Sequence, residues 1–329
     1  MSAAPLSKVA IVGASGRIGG AFAKALLQTG KHSVTALTRA GSKSKLPAGV
    51  KVIEVDYEDE PSLVAALKGH QFLAISLGVS AAHDVHAKIV TAAGKAGVPY
   101  IMPNAYGYPT SDKARPDDMY TQVVHDRVND VASNGVSSSI VLACGFWYEW
   151  SLGLGEAWFG FTIKDRKVTF FDDGKRVITV STWDQCGRAL AALLSLPESG
   201  ASSGSAAAAP SVADFKGKTL AISSFRVSQR DMLDSLHRVL GTTDADWEIT
   251  HEPTAKRVRE GGRDFQNGDR MGFARKLYGD IFSADNEVSD YAGTQQTADK
   301  VLGLPREDLD EATRRTVEMV ESGWNPFAV

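Results

Sequence analysis

The chain has few of the features that would place it in a specialised class of protein. Its 329 residues include two cysteines, Cys144 and Cys186, too few for a disulfide framework or a cysteine-based zinc site. No apolar run reaches the length of about 18 residues that a membrane-spanning helix needs. Residues 1–5 lack the positively charged start of a secretory signal. These absences favour a soluble globular protein of the cytoplasm, with no membrane as a partner.

An excess of charge is also missing. The chain has 36 basic and 39 acidic residues and a net charge of −3, so nothing in its composition indicates a basic surface for nucleic acid. It has no H-E-x-x-H pair, no cluster of Cys and His and no EF-hand loop, so no metal site is expected. The phosphate-loop pattern that ends in Gly-Lys-Ser/Thr does not follow the first strand. A small molecule remains as the expected partner, bound by a monomer or a homodimer.

The clearest positive signal is a glycine-rich turn near the N-terminus. The apolar run at residues 9–12 predicts a buried strand, and the apolar periodicity of residues 17–27 predicts a helix. Between them the glycines follow G-x-x-G-x-x-G. In a pyrophosphate cradle Gly13 allows the tight turn, Gly16 lets the backbone approach the phosphates, and Gly19 lets helix and strand pack closely. The candidate residues of this cradle are Gly13, Ser15, Gly16, Arg17, Ile18 and Gly19.

The end of the second predicted strand, at residues 32–39, distinguishes between two cofactors. A carboxylate there would hydrogen-bond the ribose 2′-OH of NAD, whereas the residue present is Arg39, and Lys43 and Lys45 follow it closely. A guanidinium suits the dianionic 2′-phosphate of NADP. The sequence therefore predicts NADP(H) as the cofactor, with a solvated basic loop as the alternative interpretation.

Alternating strands and helices continue to about residue 143. Further strands are predicted at residues 50–55, 71–78, 98–102 and 138–143, with helices at 61–67, 84–96 and about 119–133. In an open parallel sheet the cofactor lies at the carboxyl ends of the strands. The residues that follow these strands and are candidates for cofactor contact are Asp56, Tyr57, Leu77, Gly78, Asn104, Gly145 and Phe146. Asp56 and Tyr57 could equally serve as a helix cap and a packing residue.

This alternation predicts an α/β fold, a doubly wound parallel Rossmann sheet with right-handed crossovers and a smaller, α-rich C-terminal substrate domain. The expected division is residues 1–150 for the dinucleotide-binding domain, rejoined by about 176–197, and residues 151–175 and 198–329 for the substrate domain. In the second half, strands are predicted at 168–171, 176–180, 219–222 and 247–250, and helices at 183–196, at 229–240, from about 270 and at 306–322. Thr182 and Ser228 are the expected helix caps.

Several segments share a pattern with known proteins. They are Gly13–Gly19, Arg39, Met102–Gly107, Cys144–Phe146, Asp173–Ile178 and Thr182–Gly187. In this order they resemble the NmrA-like and isoflavone-reductase-like family of atypical short-chain dehydrogenases, over nearly the whole chain and most weakly after about Gly261. The resemblance implies an NADP-binding Rossmann domain and a reductase that acts on aromatic or phenolic metabolites. Some relatives instead bind the dinucleotide without turnover and act as redox-sensing regulators.

One departure from that family concerns the proton donor. Reductases of the family carry a lysine in the helix after the fifth strand, and this chain has none there. An ungapped register puts Val124 at that place, and a register with one deletion puts His125 there. Ordinary short-chain dehydrogenases use Tyr-x-x-x-Lys, of which Tyr120 remains. We therefore expect His125 to act as general acid and Tyr120 to hydrogen-bond the same substrate oxygen, with a helix-flank role for His125 as the alternative.

Aromatic residues gather just after the sixth strand. Residues 146–150 read Phe-Trp-Tyr-Glu-Trp, and Tyr106 follows the fifth strand. Their place beside the expected nicotinamide makes Tyr106, Trp147 and Tyr148 the predicted wall of a pocket for an aromatic substrate. Packing in the protein core is the alternative. A second departure, Asn104-Ala105 in place of the family's Ser-Glu, removes a carboxylate from this region.

Overall fold

The protein folds into a central sheet flanked by helices, followed by a second part that combines small sheets with helices. The computed structural model describes residues 4–42, 45–78, 81–82, 84–110, 118–200 and 209–325. The first elements are β1 (Lys8–Val12), α1 (Arg17–Gln28), β2 (Ser33–Arg39), β3 (Lys51–Val55), α2 (Glu60–Leu67), β4 (Phe72–Ile75), α3 (Val85–Lys95), β5 (Tyr100–Met102), α4 (Met119–Ser133) and β6 (Ser138–Ala143). The later ones are β7 (Phe146–Trp147), α5 (Tyr148–Gly153), β8 (Phe161–Thr162), β9 (Lys167–Phe171), β10 (Ile178–Ser181), α6 (Trp183–Ser195), β11 (Lys218–Ala221), β12 (Phe225–Val227), α7 (Gln229–Leu240), β13 (Glu248–Glu252), α8 (Thr254–Gln266), α9 (Arg270–Ile281), α10 (Tyr291–Thr294) and α11 (Leu309–Glu321).

The central sheet confirms the predicted doubly wound fold. Within the described ranges it contains seven strands in the order β3-β2-β1-β4-β5-β6-β11, all paired in parallel. The chain runs outward from β1 to β2 and β3, and then returns to the other side of β1 with β4. Ligands of such sheets bind where the order reverses, outside the carboxyl ends of the strands. A ligand site is therefore expected outside the carboxyl ends of β1 and β4.

The first strand shows why the sheet lies at the centre of the molecule. Val9 and Ile11 are buried in the hydrophobic cluster on one face, and Ala10 and Val12 are buried in the cluster on the other. Alternate residues of a strand point to opposite faces, so a continuous apolar run needs cover on both sides. The helices provide that cover, and they fix the carboxyl end of β1 in position.

Helix α6 returns the chain to the central sheet. Thr182 begins it as predicted, because its side chain accepts a hydrogen bond from the backbone N–H of Gln185 at 3.0 Å. The helix then packs tightly on α1: a Cβ added at Gly187 would lie 2.5 Å from the carbonyl oxygen of Ala21. The glycine thus permits close contact between the two helices.

The seventh strand corrects the expected division of the chain. Residues 218–221 fall in the stretch that the sequence assigned to the substrate domain, yet β11 pairs in parallel with β6, from Lys218 opposite Ile140 to Ala221 opposite Ala143. Pairing with β6 extends the central sheet at its edge. A strand of four residues carries no local pattern that specifies which sheet it joins, because its partner lies some 78 residues earlier in the chain.

The second part of the chain surrounds its own aromatic core. Strand β10 pairs with β12 and β7, whereas β9 pairs with β13 and β8. Strands β9 and β10, which are consecutive in the chain, therefore belong to different sheets and do not form a hairpin. Ser228 caps α7 as predicted, with its side chain accepting from the N–H of Asp231. No helix that the structure describes is long and apolar enough to cross a membrane.

Residues 254–266 form α8, a helix that the sequence pattern does not predict. The glycine pair Gly261-Gly262 resembles a break in a helix, since glycine is a poor helix former. In the structure Gly261 instead allows α9 to approach, because a Cβ there would lie 2.7 Å from the backbone nitrogen of Lys276. Close packing between α8 and α9 explains a glycine that local propensity alone does not.

Candidate dinucleotide cleft and substrate end

The glycine turn has the geometry expected of a phosphate cradle. Gly13 has a φ of +79°, and a Cβ there would lie 1.8 Å from the carbonyl oxygen of Ser76. A Cβ at Gly19 would lie 2.2 Å from the carbonyl oxygen of Gly13, which confirms the predicted close packing of helix and strand. A Cβ at Gly16 would meet only that same oxygen, at 3.2 Å. The backbone at Gly16 is therefore open toward a ligand, as a pyrophosphate requires.

Helix α1 begins with its backbone N–H groups uncommitted. Gly16 is the N-cap, no side chain caps the helix, and its first turn has no acidic residue. The first N–H groups of a helix lack intrahelical partners and lie at the positive end of the helix dipole, which together attract an anion. Arg17 and Ile18, both predicted cofactor residues, carry the first N–H groups of the helix. The guanidinium of Arg17 lies over the rings of Trp183 and Trp324, 5.5 and 5.0 Å from their centroids.

A cleft of about 690 Å³ opens at the switch point, beside the glycine turn. Its lining comes from the ends of β1 to β4 and the segments that follow them: Val12, Gly13, Ala14, Ser15, Gly16, Leu37, Thr38, Arg39, Ala40, Ser42, Val55, Asp56, Tyr57, Glu58, Ser76, Leu77, Gly78, Ala81, Ala82 and Val85. It brings together eight of the predicted cofactor residues. Sequence reasoning missed Thr38, Glu58 and Val85, whose positions next to strand ends or at a helix start are the signal that could have found them.

One residue in the lining of the cleft, Arg39, is a cation whose side chain has no partner among the described residues. Arg39 ends β2 and is exposed, and its side chain forms no hydrogen bond or ion pair with any residue that the structure describes. Two acidic residues near Arg39 have other partners. Asp56 accepts the backbone N–H of Glu58 at 2.9 Å, and Glu58 pairs with Lys88 at 2.6 Å. Burial raises the pKa of Tyr57, and the charge of Arg39 opposes that shift. The guanidinium is thus available to an anionic ligand.

Two lysines were expected to assist Arg39. Lys45 is exposed and lies outside the lining of the cleft. Lys43 lies outside the described residues. Of the three basic residues, only Arg39 is placed on the cleft by the structure.

Asn104 lies behind the cleft wall and does not line it. Its side-chain oxygen accepts the backbone N–H of Leu77 at 3.1 Å, and its amide nitrogen donates to the Leu77 carbonyl at 3.4 Å. The backbone N–H of Asn104 donates to Nε2 of the buried His86 at 3.4 Å. Asn104 therefore reaches the cleft through Leu77, which is part of the lining.

Gly145 and Phe146 are explained by packing. Gly145 has a φ of +64°, and a Cβ there would lie 2.1 Å from the carbonyl oxygen of Thr179. A glycine is thus required for β10 to approach the end of β6. The ring of Phe146 lies 4.6 Å from that of Tyr278 in the aromatic core of the second part. Neither residue lines the cleft, so contact with a cofactor stays a prediction for both.

The predicted substrate wall divides into two groups. Tyr106 donates from its hydroxyl to the Ile75 carbonyl at 2.7 Å, and its ring lies 6.2 Å from that of the half-buried Trp147. These two residues remain candidates for the wall. Tyr148 is 0% exposed and its hydroxyl shares a hydrogen bond with Thr313. Because it is enclosed in the core, Tyr148 is not available to a substrate, which corrects the prediction.

Helix α4 separates the two predicted acid residues. The hydroxyl of Tyr120 is buried and has no hydrogen-bond partner among the residues described. Its ring packs so closely on Gly107 that a Cβ there would lie 2.5 Å from Cζ. His125 is exposed. Five residues of helix place it about 140° around the axis from Tyr120, so the structure does not bring the two side chains together.

The surroundings of Tyr120 keep its phenol neutral. Burial raises the pKa of Tyr120 well above its usual value, and Cys144, Tyr106 and Asp118 raise it further. The Tyr120 ring packs on Gly107, whose carbonyl accepts the backbone N–H of Cys144 at 2.8 Å, so the phenol lies near the carboxyl ends of β5 and β6. At neutral pH it therefore holds its proton and can donate a hydrogen bond there. Within the described ranges no group of His, Cys, Asp and Glu could hold a metal ion.

Comparison with known proteins agrees with this architecture. Residues 5–123 match the model of the NmrA-like family. The oxidoreductase aprR of Aspergillus flavus is 27% identical over 311 residues, which cover 92% of this chain and 96% of aprR. The match extends along almost the full length of both chains.

Two solved structures share the fold. Isoflavone reductase superimposes with a TM-score of 0.69 at 18% identity and covers 94% of this chain and 99% of its own. AtPrR2, solved with NADP+ and (+)-pinoresinol, gives the same TM-score and identity over 94% of this chain and 98% of its own. The resemblance noted in the sequence is confirmed: residues 5–123 match the model of the NmrA-like family, and over nearly its whole length the chain has the fold of isoflavone reductase.

Proposed function

We propose that the protein is an NADP(H)-dependent reductase of a small aromatic or phenolic molecule. The observation that carries the proposal is the cleft at the switch point, whose lining includes both the glycine turn and Arg39, a residue whose side chain has no partner among the described residues. A pyrophosphate fits the first feature and a 2′-phosphate fits the second. Similar proteins support the proposal, because aprR is named an oxidoreductase and AtPrR2 was solved with NADP+.

The residues of the cleft fit the parts of the cofactor in sequence. The N–H groups at the start of α1, next to Gly16, would hold the pyrophosphate. Arg39 would hold the 2′-phosphate through charge-assisted hydrogen bonds. Asp56 and Tyr57, at the end of β3, would adjoin the adenine. When bound, the reduced cofactor supplies the hydride, and the protein supplies its position relative to the acceptor.

An aromatic acceptor is supported by the aromatic residues near the ends of β5 and β6. Tyr106 and Trp147 lie close to each other near the ends of β5 and β6, and the indole nitrogen of Trp147 is buried with no hydrogen-bond partner in the described part of the chain. Aromatic rings favour planar apolar ligands, and a ligand oxygen could satisfy that donor. The pinoresinol bound to AtPrR2 is an aromatic ligand in a protein of the same fold.

Tyr120 is the favoured proton or hydrogen-bond donor. Its neutral phenol lies near the ends of β5 and β6, and its hydroxyl is unpaired among the described residues. His125 stays a second candidate from the sequence, although its exposed position on α4 gives it no access to the same place. Because α4 lacks the lysine of the family's reductases, a second function remains open: an NADP(H)-binding regulator without turnover.

Two measurements test the proposal in order. Fluorescence titration should show tighter binding of NADPH than of NADH, by about tenfold or more. NADPH oxidation should then be followed with aromatic ketones, enones and benzylic ethers. Turnover of any of these supports the reductase, and tight binding without turnover across the panel supports the regulator. Equal affinity for NADPH and NADH would contradict the cofactor assignment.

A further inference from the structure

We propose that the buried pair of His86 and Asp130 positions the cofactor cleft, acting through Asn104 on the segment Leu77-Gly78. His86 lies in the first turn of α3, directly after the lining residue Val85, and is 0% exposed. Asp130 lies in α4. The inference rests on the proposed function of the cleft, and it gives these residues a role that does not involve touching the cofactor.

The hydrogen bonds fix the form of the imidazole. The backbone N–H of Asn104 can only donate, so Nε2 of His86 is the acceptor of the bond between them. The proton of the neutral ring is therefore on Nδ1, which donates to the Asp130 carboxylate at 2.7 Å. Burial lowers the pKa of His86 to about 4, against the opposing effect of Asp130, so the ring is neutral under ordinary conditions. In a protonated ring Nε2 would also carry a hydrogen, so it would face the backbone N–H of Asn104 as a second donor and could not accept from it.

The charged groups around the imidazole are consistent with this form. Asp130 is one-quarter exposed and also lies 3.4 Å from the guanidinium of Arg127, one turn earlier on α4. Arg127 disfavours a positive charge on His86, and Asp130 favours one. The carboxylate thus holds the ring through the Nδ1 hydrogen bond while its own charge is shared with Arg127.

The chain of contacts ends at the cleft. Asn104 makes two hydrogen bonds to the main chain of Leu77, and Leu77 and Gly78 form the wall that follows β4. Strands β4 and β5 already pair from Phe72 opposite Tyr100 to Ala74 opposite Met102. The polar bonds therefore begin where the sheet pairing stops. They fix the two loops that leave the sheet, which is the region where a ligand would be held.

Hydrophobic packing around α3 does not by itself explain this polar set. Burying an imidazole and a carboxylate is unfavourable unless they are bonded, and apolar residues fill the same hydrophobic layer around α3. The set is better explained by orientation: it keeps the Asn104 backbone and amide in one arrangement, so that the wall at Leu77 is formed before a ligand arrives.

The test measures NADPH affinity by fluorescence titration in folded variants. His86→Leu removes both ring bonds and should weaken NADPH binding about tenfold or more, the scale of a small misplacement of binding groups. His86→Gln can donate to Asp130 and accept from Asn104, and should restore most of the affinity. His32→Leu is the matched control: His32 is also buried and bonded, to the Leu6 carbonyl and Ser195, but lies at the amino end of β2, away from the cleft.

A structural role and a positioning role predict different results. If His86 only stabilises the fold, His86→Leu and His32→Leu will both lower the melting temperature and leave NADPH affinity unchanged, which would overturn the inference. Asn104→Leu, alone and combined with His86→Leu, should weaken binding non-additively if the two act in one chain of contacts. Additive losses would also count against it. Failure of the unaltered protein to bind NADPH would instead refute the proposed function.

Discussion

The proposed phosphate end (residues 13–19 and Arg39) and the proposed substrate end (Tyr106, Trp147 and Tyr120) are built by different means. At the phosphate end, backbone geometry determines the site: Gly13, Gly16 and Gly19 lie within seven residues, and their lack of side chains creates the cradle. At the substrate end, side chains determine the site, and they come from distant parts of the chain. The hydroxyl of Tyr106 donates to the carbonyl of Ile75 at 2.7 Å, and the ring of Tyr106 lies 6.2 Å from that of Trp147. The first site is local in sequence and the second is not.

This difference affects how each end tolerates change. A backbone cradle fails when any atom is added to it, whatever the chemistry of the new side chain. A side-chain wall can exchange one apolar residue for another of similar volume and still bind a planar ligand. Variation in substrate among proteins of this fold is therefore expected at the substrate end, with the phosphate end kept. The experiments below test whether the two ends can be altered separately.

The largest effect is expected from Gly16→Val. The branched side chain would occupy the open space that the pyrophosphate needs, so NADPH affinity should fall by about a hundredfold or more while the protein stays folded. Titration of NADPH, with circular dichroism as a check of folding, measures both. Gly20→Ala on the same helix is the control, because its Cβ would lie at an ordinary 3.4 Å from the Ala14 carbonyl oxygen. Unchanged affinity of Gly16→Val would place the cradle elsewhere.

The next effect separates chemistry from binding at the substrate end. Tyr120→Phe removes a hydroxyl that bonds no described residue, so folding stability should be unchanged or slightly higher. If that hydroxyl donates to the substrate, kcat should fall by about a hundredfold with NADPH affinity unchanged. His125→Ala, at an exposed position of the same helix, should change kcat by less than about threefold. The reverse ranking would restore His125 as the acid.

The sequence signals for the proposed phosphate end are local, which is why the glycine turn and Arg39 could be assigned to one cleft that the structure then shows. The spacing of three glycines and the residue at the end of β2 depend on neighbours within one βαβ unit. The same reasoning failed for Tyr148, since adjacency to Trp147 does not show that its hydroxyl meets Thr313 in the core. It also missed the partner of β11, because pairing with β6 is decided by the fold of the intervening chain.

Two glycines also show that the sequence alone does not distinguish a role in ligand approach from a role in packing. Gly16 and Gly145 look equally functional in the sequence, since each follows a buried strand. In the structure a Cβ at Gly16 would point into open space beyond one oxygen at 3.2 Å, whereas a Cβ at Gly145 would collide with the Thr179 carbonyl at 2.1 Å. Gly16 therefore fits a role in ligand approach, and Gly145 is needed for packing. Only the neighbours in space distinguish the two roles.

A smaller effect is expected on stability, at Glu149 in α5. Glu149 is 5% exposed, and burial raises its pKa from the usual 4.5 to about 7. A carboxyl that holds its proton longer in the folded state binds more protons folded than unfolded between these values, so it makes stability fall as the pH rises from about 4.5 to 7. Glu149→Gln removes the charge and can still accept the backbone N–H of Trp183. The gain in unfolding free energy should be on the order of 2 kcal/mol at pH 8 and near zero at pH 4.

Urea unfolding at the two pH values measures this gain. Glu321→Gln, at an exposed position of α11, is the control and should show no comparable dependence on pH. A gain of equal size for Glu149→Gln at pH 4 would contradict an explanation by charge burial. Loss of stability at pH 8 would show that the 4.0 Å approach of Arg315 to Glu149 outweighs the burial of the carboxylate.

The smallest expected effect concerns the specificity of the phosphate end. Arg39→Ala removes the guanidinium that is free of carboxylate partners among the described residues, so NADPH affinity should fall about tenfold while NADH affinity stays the same. Lys45→Ala is the matched control, because Lys45 is exposed, follows the same strand and lies outside the lining of the cleft. Its loss should change NADPH affinity by less than about threefold, as expected for a screened surface charge. If both variants lose the same amount, the preference comes from the general charge of the loop. If Arg39→Ala weakens NADPH and NADH equally, Arg39 acts on the part that the two dinucleotides share, and the two ends of the cleft are less independent than their geometry indicates.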